Sequence, residues 1–114
     1  MSAKFAIAIA TVAIIASLAV PAISGATGDA TEIRFHDGKF DPTVVAIPAN
    51  RPVTLHVVNA SDSAIEFESF KLNREKAVGP GESITVSLPA LDPGNYDFYD
   101  DFHQNVPEGN IVAK

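Results

Sequence analysis

The sequence predicts an all-β domain, a sandwich or barrel of about seven to eight short strands. Three observations carry this. Beyond residue 30, apolar and polar residues alternate instead of recurring at helical spacing. Turn signals rich in Gly, Pro, Asn and Asp interrupt the alternation at short intervals. No internal repeat or break in composition marks a second domain within 114 residues.

The N-terminal stretch reads differently. Lys4 gives a short positive start, and Phe5 to Val20 is almost unbroken Ala, Ile, Val and Leu. Pro21 ends the run, and Ala22, Ser24, Gly25 and Ala26 supply small residues. This is the pattern of a secretory signal peptide, with cleavage expected after Ala22 or, preferably, Ala26. The apolar run falls short of the roughly 20 residues that a spanning helix needs. The expected organisation is a signal peptide over 1–26, a flexible leader over 27–31 and one domain over 32–114.

Within the domain, Glu32-Ile33-Arg34-Phe35 is the first strand and Lys39-Phe40-Asp41-Pro42 a turn. Thr43 to Ile47 is a second strand, followed by the loop Pro48 to Pro52. Val53, Leu55 and Val57 then point one way and Thr54, His56 and Val58 the other, as in a half-buried strand. Asn59 to Ser63 is a polar turn, and Ile65 to Phe70 alternates again. Lys71 to Val78 carries no clear period and reads as a helical turn or irregular chain. Ile84, Val86 and Leu88 alternate with Ser83, Thr85 and Ser87. Tyr96 to Tyr99 forms an aromatic strand after the turn Leu91 to Asn95. Asp100 to Glu108 is a polar loop, and Gly109 to Ala113 closes the chain.

Charge narrows the partners. All fourteen acidic residues lie after residue 26 with seven of the eight basic ones, giving the domain a net charge of −7. Nucleic acid, which needs a basic surface, is excluded as a partner. Cations are the natural companions of such a field. The chain has no cysteine. That excludes a thiol nucleophile, a zinc–thiolate site and thiolate-bound copper. No glycine-rich phosphate loop or Gly-x-Ser-x-Gly elbow marks a hydrolase or transferase. The one methionine is Met1. A metal here must be held by oxygen and imidazole.

The segment GNYDFYDDFHQNVPEGNIVAK carries the candidate ligands. With Tyr96 and Phe98 facing inward, strand parity aims Asp100 inward too. A buried carboxylate is costly without a partner. His103 follows three residues later and Glu108 five after that. Glu66 and Glu68 share one face of a neighbouring strand, where like charges repel unless a cation intervenes. The predicted metal ligands are therefore Glu66, Glu68, Asp100, His103 and Glu108, with either Glu66 or Glu68 joining the loop residues. Asp101 is expected in solvent or behind the ligands. His56 reads as structural. His36-Asp37 reads as a turn or a weak second cation site.

The loop resembles the copper loop of cupredoxins. Blue-copper members place Cys, His and Met where this chain has Asp100, His103 and Glu108, and a first histidine ligand near Glu66. The sequence is similar in particular to the cupredoxin-like module of EfeO-type proteins and of stand-alone periplasmic cupredoxins from bacterial ferrous iron uptake systems. The matching stretches are Phe40-Asp41-Pro42, Ile47-Pro48-Ala49, Glu66-Phe67-Glu68, Pro80-Gly81-Glu82 and Pro93 to Phe98. Some relatives carry a cysteine at the position of Asp100 and another near Phe40; this chain has neither.

The resemblance implies a Greek-key cupredoxin-like β-sandwich and a periplasmic location. It implies binding of iron or copper, and the absence of cysteine excludes a type 1 blue-copper centre. It also implies oxidation of Fe(II) before hand-over to a periplasmic iron-binding protein and an inner-membrane iron permease. A non-redox carrier of copper or another divalent metal, and a metal-free interaction domain, remain as alternatives at this level.

Overall fold

The computed structural model describes residues 29–114. The expected signal peptide and the start of the expected leader lie outside them. The described residues form nine strands: β1 (Asp29–His36), β2 (Lys39–Asp41), β3 (Val44–Ile47), β4 (Val53–Asn59), β5 (Ile65–Ser69), β6 (Arg74–Val78), β7 (Ser83–Leu88), β8 (Gly94–Asp100) and β9 (Gly109–Ala113). One sheet runs β2-β1-β4-β7 and the other β3-β9-β8-β5-β6. β1 with β4 and β3 with β9 are parallel, and the other neighbours antiparallel. The architecture is an all-β sandwich, as predicted.

Alternation builds the core. Val53, Leu55 and Val57 of β4 are buried, as are Val86 and Leu88 of β7. Ile65 and Phe67 of β5 and Phe98 of β8 face them from the other sheet. An aromatic chain links the layers. Phe35 meets Phe40 at 5.2 Å, Phe40 meets Phe98 at 5.1 Å, and Phe98 meets Phe67 at 5.3 Å. The first two contacts are edge-to-face, an arrangement that aromatic quadrupoles favour. Phe67 and Phe98 thus stiffen β5 and β8 from inside. Gly109 is needed opposite Phe98, because a Cβ there would overlap the ring.

Two boundaries differ from expectation. Residues 29–31, expected as leader, already belong to β1 and pair with Val53, Thr54 and Leu55. A parallel neighbour supplies hydrogen bonds to a stretch whose own side chains give little strand signal. The unreadable segment 71–78 holds a turn and then strand β6. Glu75, Lys76 and Ala77 are exposed there, so the period-2 pattern of a half-buried strand is absent. β6 is an outer strand of its sheet. Charged side chains are usual at such edges because they discourage further pairing.

Asn59 occupies an inward position of β4 and is fully buried. Its amide donates to the carbonyls of Ser63, Val78 and Gly79. Its carbonyl accepts from the Ser61 amide and hydroxyl. A buried side-chain amide satisfied on both sides fixes the turn that leads into β5. His56 points away from the core and lies 3.4 Å from the Thr85 hydroxyl across the strand pair.

Candidate metal centre

β5 and β8 pair only through Phe67–Asp100 and Glu68–Tyr99. This short register decides where every candidate ligand goes. Phe67, Phe98 and Asp100 are buried on the inner face. Successive strand residues point to opposite faces. Glu66, Glu68 and Tyr99 therefore lie on the outer face, and Asp101 follows them as the first residue past β8.

On that outer face, Glu66, Glu68 and Asp101 each present a carboxylate oxygen, all within 4.8 Å of one another. Glu66 and Glu68 are half-buried and Asp101 is exposed. Glu75 stands opposite Glu68 on β6, and Tyr99 stands opposite it on β8. The Glu66 carboxyl is pushed up to about 7. Loss of water contact contributes most, then a hydrogen bond with Glu75, then the charges of Glu75, Asp101 and Glu68. Each of these disfavours the carboxylate. The Tyr99 phenol is also raised, first by burial, then by its hydrogen bond to Glu68 and the nearby charges of Glu68, Asp101 and Asp97.

On the inner side, Asp100 is 1 % exposed. Its Oδ1 accepts from the Glu66 amide at 2.9 Å and the Phe102 amide at 3.0 Å. Its Oδ2 accepts from His103 Nδ1 at 2.7 Å. Because a carboxylate accepts, His103 carries its proton on Nδ1, which leaves Nε2 for other partners. The loop is drawn tight by His103 N to Asp100 O and Val106 N to His103 O. Glu108 is exposed. It lines a depression of about 220 Å³ with Tyr99, Asp100, Gln104 and Val106.

Of the ligands expected from the sequence, Glu66 and Glu68 lie on the outer face, while Asp100 and His103 meet on the inner side and Glu108 lines a depression with Asp100. Among the described residues, the grouping with metal-ligand spacing is Glu66, Glu68 and Asp101. Asp100 and His103 do meet, but the inward carboxylate is committed to two amides and the imidazole. Glu108 falls outside both groups. Asp101, expected in solvent or behind the ligands, joins the cluster instead. Its signal was present in the parity argument, since an inward Asp100 places its neighbour on the outer face.

The cluster is a carboxylate-based metal-binding group. It lacks the Cys and His ligands of a type 1 blue-copper centre, and its hard oxygens suit iron or a non-blue copper ion. His36 forms a separate group: Nδ1 lies 3.0 Å from Asp37 and Nε2 3.1 Å from Asp41. Those two carboxylates raise its pKa, Asp41 the more strongly.

Comparison with known proteins agrees with this architecture. The chain is 43% identical over 82 residues to the uncharacterized protein RP394 of Rickettsia prowazekii, covering 72% of this chain and 66% of that one. It therefore spans just under two thirds of that relative's length. The metal-binding domain of the Streptococcus pneumoniae Cu(I)-exporting P-type ATPase CopA superposes with a TM-score of 0.66 at 13% identity, over 75% of this chain and 84% of that one. Auracyanin A, a blue copper protein of Chloroflexus aurantiacus, gives 0.61 at 14% identity over 75% and 98%. Amicyanin from Paracoccus versutus gives 0.60 at 19% identity over 84% and 86%. At these identities the likeness shows the fold. A cupredoxin-like domain family model matches residues 5–113, and the chain belongs to that family.

Proposed function

We propose that the protein is exported, loses residues 1–26, and works in the periplasm as an iron-binding accessory of ferrous iron uptake. Iron is its cargo, held by Glu66, Glu68 and Asp101. Hand-over to a periplasmic iron-binding protein and an inner-membrane permease follows from the family resemblance. The observation that carries the metal reading is the meeting of the Glu66, Glu68 and Asp101 carboxylates within 4.8 Å of one another, where the Glu66 carboxyl is raised by lost water contact and its acidic neighbours. Such a group is relieved by a proton or by a cation, and a multivalent cation neutralises several carboxylates at once.

The donor set favours the higher oxidation state. Each carboxylate interacts more strongly with Fe(III) than with Fe(II), because the Coulomb energy scales with the ion's charge. The cluster would lower the potential of bound iron and ease loss of an electron to dioxygen. No acid–base catalyst is required. Copper(II) also binds such sites tightly by the usual affinity order, so copper binding in vitro does not identify the cargo.

The test is metal titration of the purified protein with Fe(II), Fe(III) and Cu(II), with oxygen uptake followed during Fe(II) addition. Glu66→Gln combined with Glu68→Gln should remove tight iron binding and iron-dependent oxygen uptake. His103→Ala should leave both largely in place. Binding that survives the double variant but disappears in His103→Ala would move the site to the loop and overturn the assignment. Iron binding without oxygen uptake would retain the carrier role and discard the oxidation step.

A further inference from the structure

We infer that Asp100 is a positioning residue: its buried carboxylate fixes Asp101 against Glu66 and so sets the geometry of the outer site. The inference rests on the outer cluster being the metal site. At β5 the ladder to β8 ends at Phe67–Asp100. One residue further, Asp100 Oδ1 replaces the missing ladder acceptor and takes the Glu66 amide at 2.9 Å. The same oxygen takes the Phe102 amide at 3.0 Å. Asp101 lies between these two anchor points. Its own amide donates to the Glu66 carbonyl at 3.0 Å. Glu66 is thus tied on both backbone sides to consecutive residues of the loop.

Of the three outer carboxylates, two stand on β5 itself. Asp101 alone comes from another segment, so its placement is the variable part of the site. His103 holds the other Asp100 oxygen at 2.7 Å. That bond keeps the carboxylate from turning away from the amides. Groups that orient metal ligands from behind typically cost about 10- to 100-fold in affinity when removed.

Terbium(III) is a suitable probe, being a hard trivalent cation whose emission the adjacent Tyr99 phenol can sensitise. Asp100→Ala should weaken terbium binding by about 10- to 100-fold. Asp100→Asn keeps a carbonyl acceptor for both amides, and its NH2 can donate to His103 Nδ1 once the imidazole carries its proton on Nε2, so it should bind within roughly tenfold of the parent protein by the same scale. A double-variant cycle adds a readout that general destabilisation would not move. Asp101→Asn should weaken binding in the parent protein but add little to Asp100→Ala, because the two act as one unit.

Additive losses, or an Asp100→Ala protein that binds like the parent, overturn the positioning role. Should Asp100→Ala fail to fold, Asp100→Asn still decides. Loss of binding as complete as in Glu66→Gln would make the Asp100 charge itself a ligand and overturn the inference. Binding unaffected by Glu66→Gln and Glu68→Gln together would instead remove the outer site, and the positioning role with it.

Discussion

Glu66→Gln tests the acidic cluster through its proton as well as its metal. In the metal-free protein the Glu66 carboxyl sits at about 7, against 4.5 for an unperturbed glutamate. A metal must displace that proton. With a group at about 7, apparent affinity is close to its limit at pH 8, about tenfold lower at pH 6 and about 100-fold lower at pH 5. An ordinary glutamate would produce only a slight loss at pH 5. The assay is terbium or iron titration at fixed ionic strength between pH 5 and 8. Glu66→Gln should bind more weakly at pH 8 and lose most of this slope. Stability of the metal-free protein should run the opposite way. The folded form binds the Glu66 proton more tightly than the unfolded chain. The resulting stabilisation is complete below about pH 4.5 and is lost as pH rises through about 7. Thermal midpoints should therefore fall from pH 5 to pH 8, with metal restoring them at the upper end. A flat affinity profile between pH 8 and 6, or the same slope in Glu66→Gln, would refute the placement of this carboxyl among like charges.

Other consequences follow from the packing. Gly109→Ala should destabilise the domain by about 1–3 kcal/mol, because the added methyl meets the Phe98 ring and both strands must shift; denaturant unfolding measures it. Asn59→Ala removes the donor to the buried Val78 carbonyl and the part-buried Gly79 carbonyl and should cost about 1–3 kcal/mol in the same assay. His36 should titrate above 6.5 by NMR, and Asp41→Asn should bring it down more than Asp37→Asn. Its folded pKa is raised, so the contribution of the His36 group to stability is present below pH 6.5 and fades as pH rises past the folded value.

The sandwich was legible because its strands are half-buried. Val53 to Val58 and Ser83 to Leu88 alternate as a two-faced sheet requires. β6 escaped because only Val78, at one end, is buried, which leaves no apolar row to read. Parity also placed Asp100 correctly, at 1 % exposure. What parity along one strand does not supply is register between strands. Placing Asp100 and a β5 glutamate in one site required them to share a face. The pairing Phe67–Asp100 puts an inward phenylalanine opposite Asp100 and turns both glutamates outward. A one-residue slip would have reversed that outcome. The cluster of Glu66, Glu68 and Asp101 was thus legible in its residue types and hidden in its cross-strand partner.

The outward position of the cluster bears on how cargo would leave. Asp101 is exposed, and the two glutamates are half-buried on a sheet face rather than enclosed in a loop. A ligand from outside can then occupy a coordination position before the protein's carboxylates let go. Transfer to a competing carboxylate chelator such as nitrilotriacetate should therefore accelerate in proportion to chelator concentration. The Asp100–His103 position offers the contrast, because its carboxylate is fully buried. Metal held there would have to dissociate first, and the transfer rate would level off at the dissociation rate. Stopped-flow transfer of iron from the loaded protein separates the cases. A rate that ignores chelator concentration would argue that the ion is held behind the loop, whatever the equilibrium titrations of the outer carboxylates had suggested.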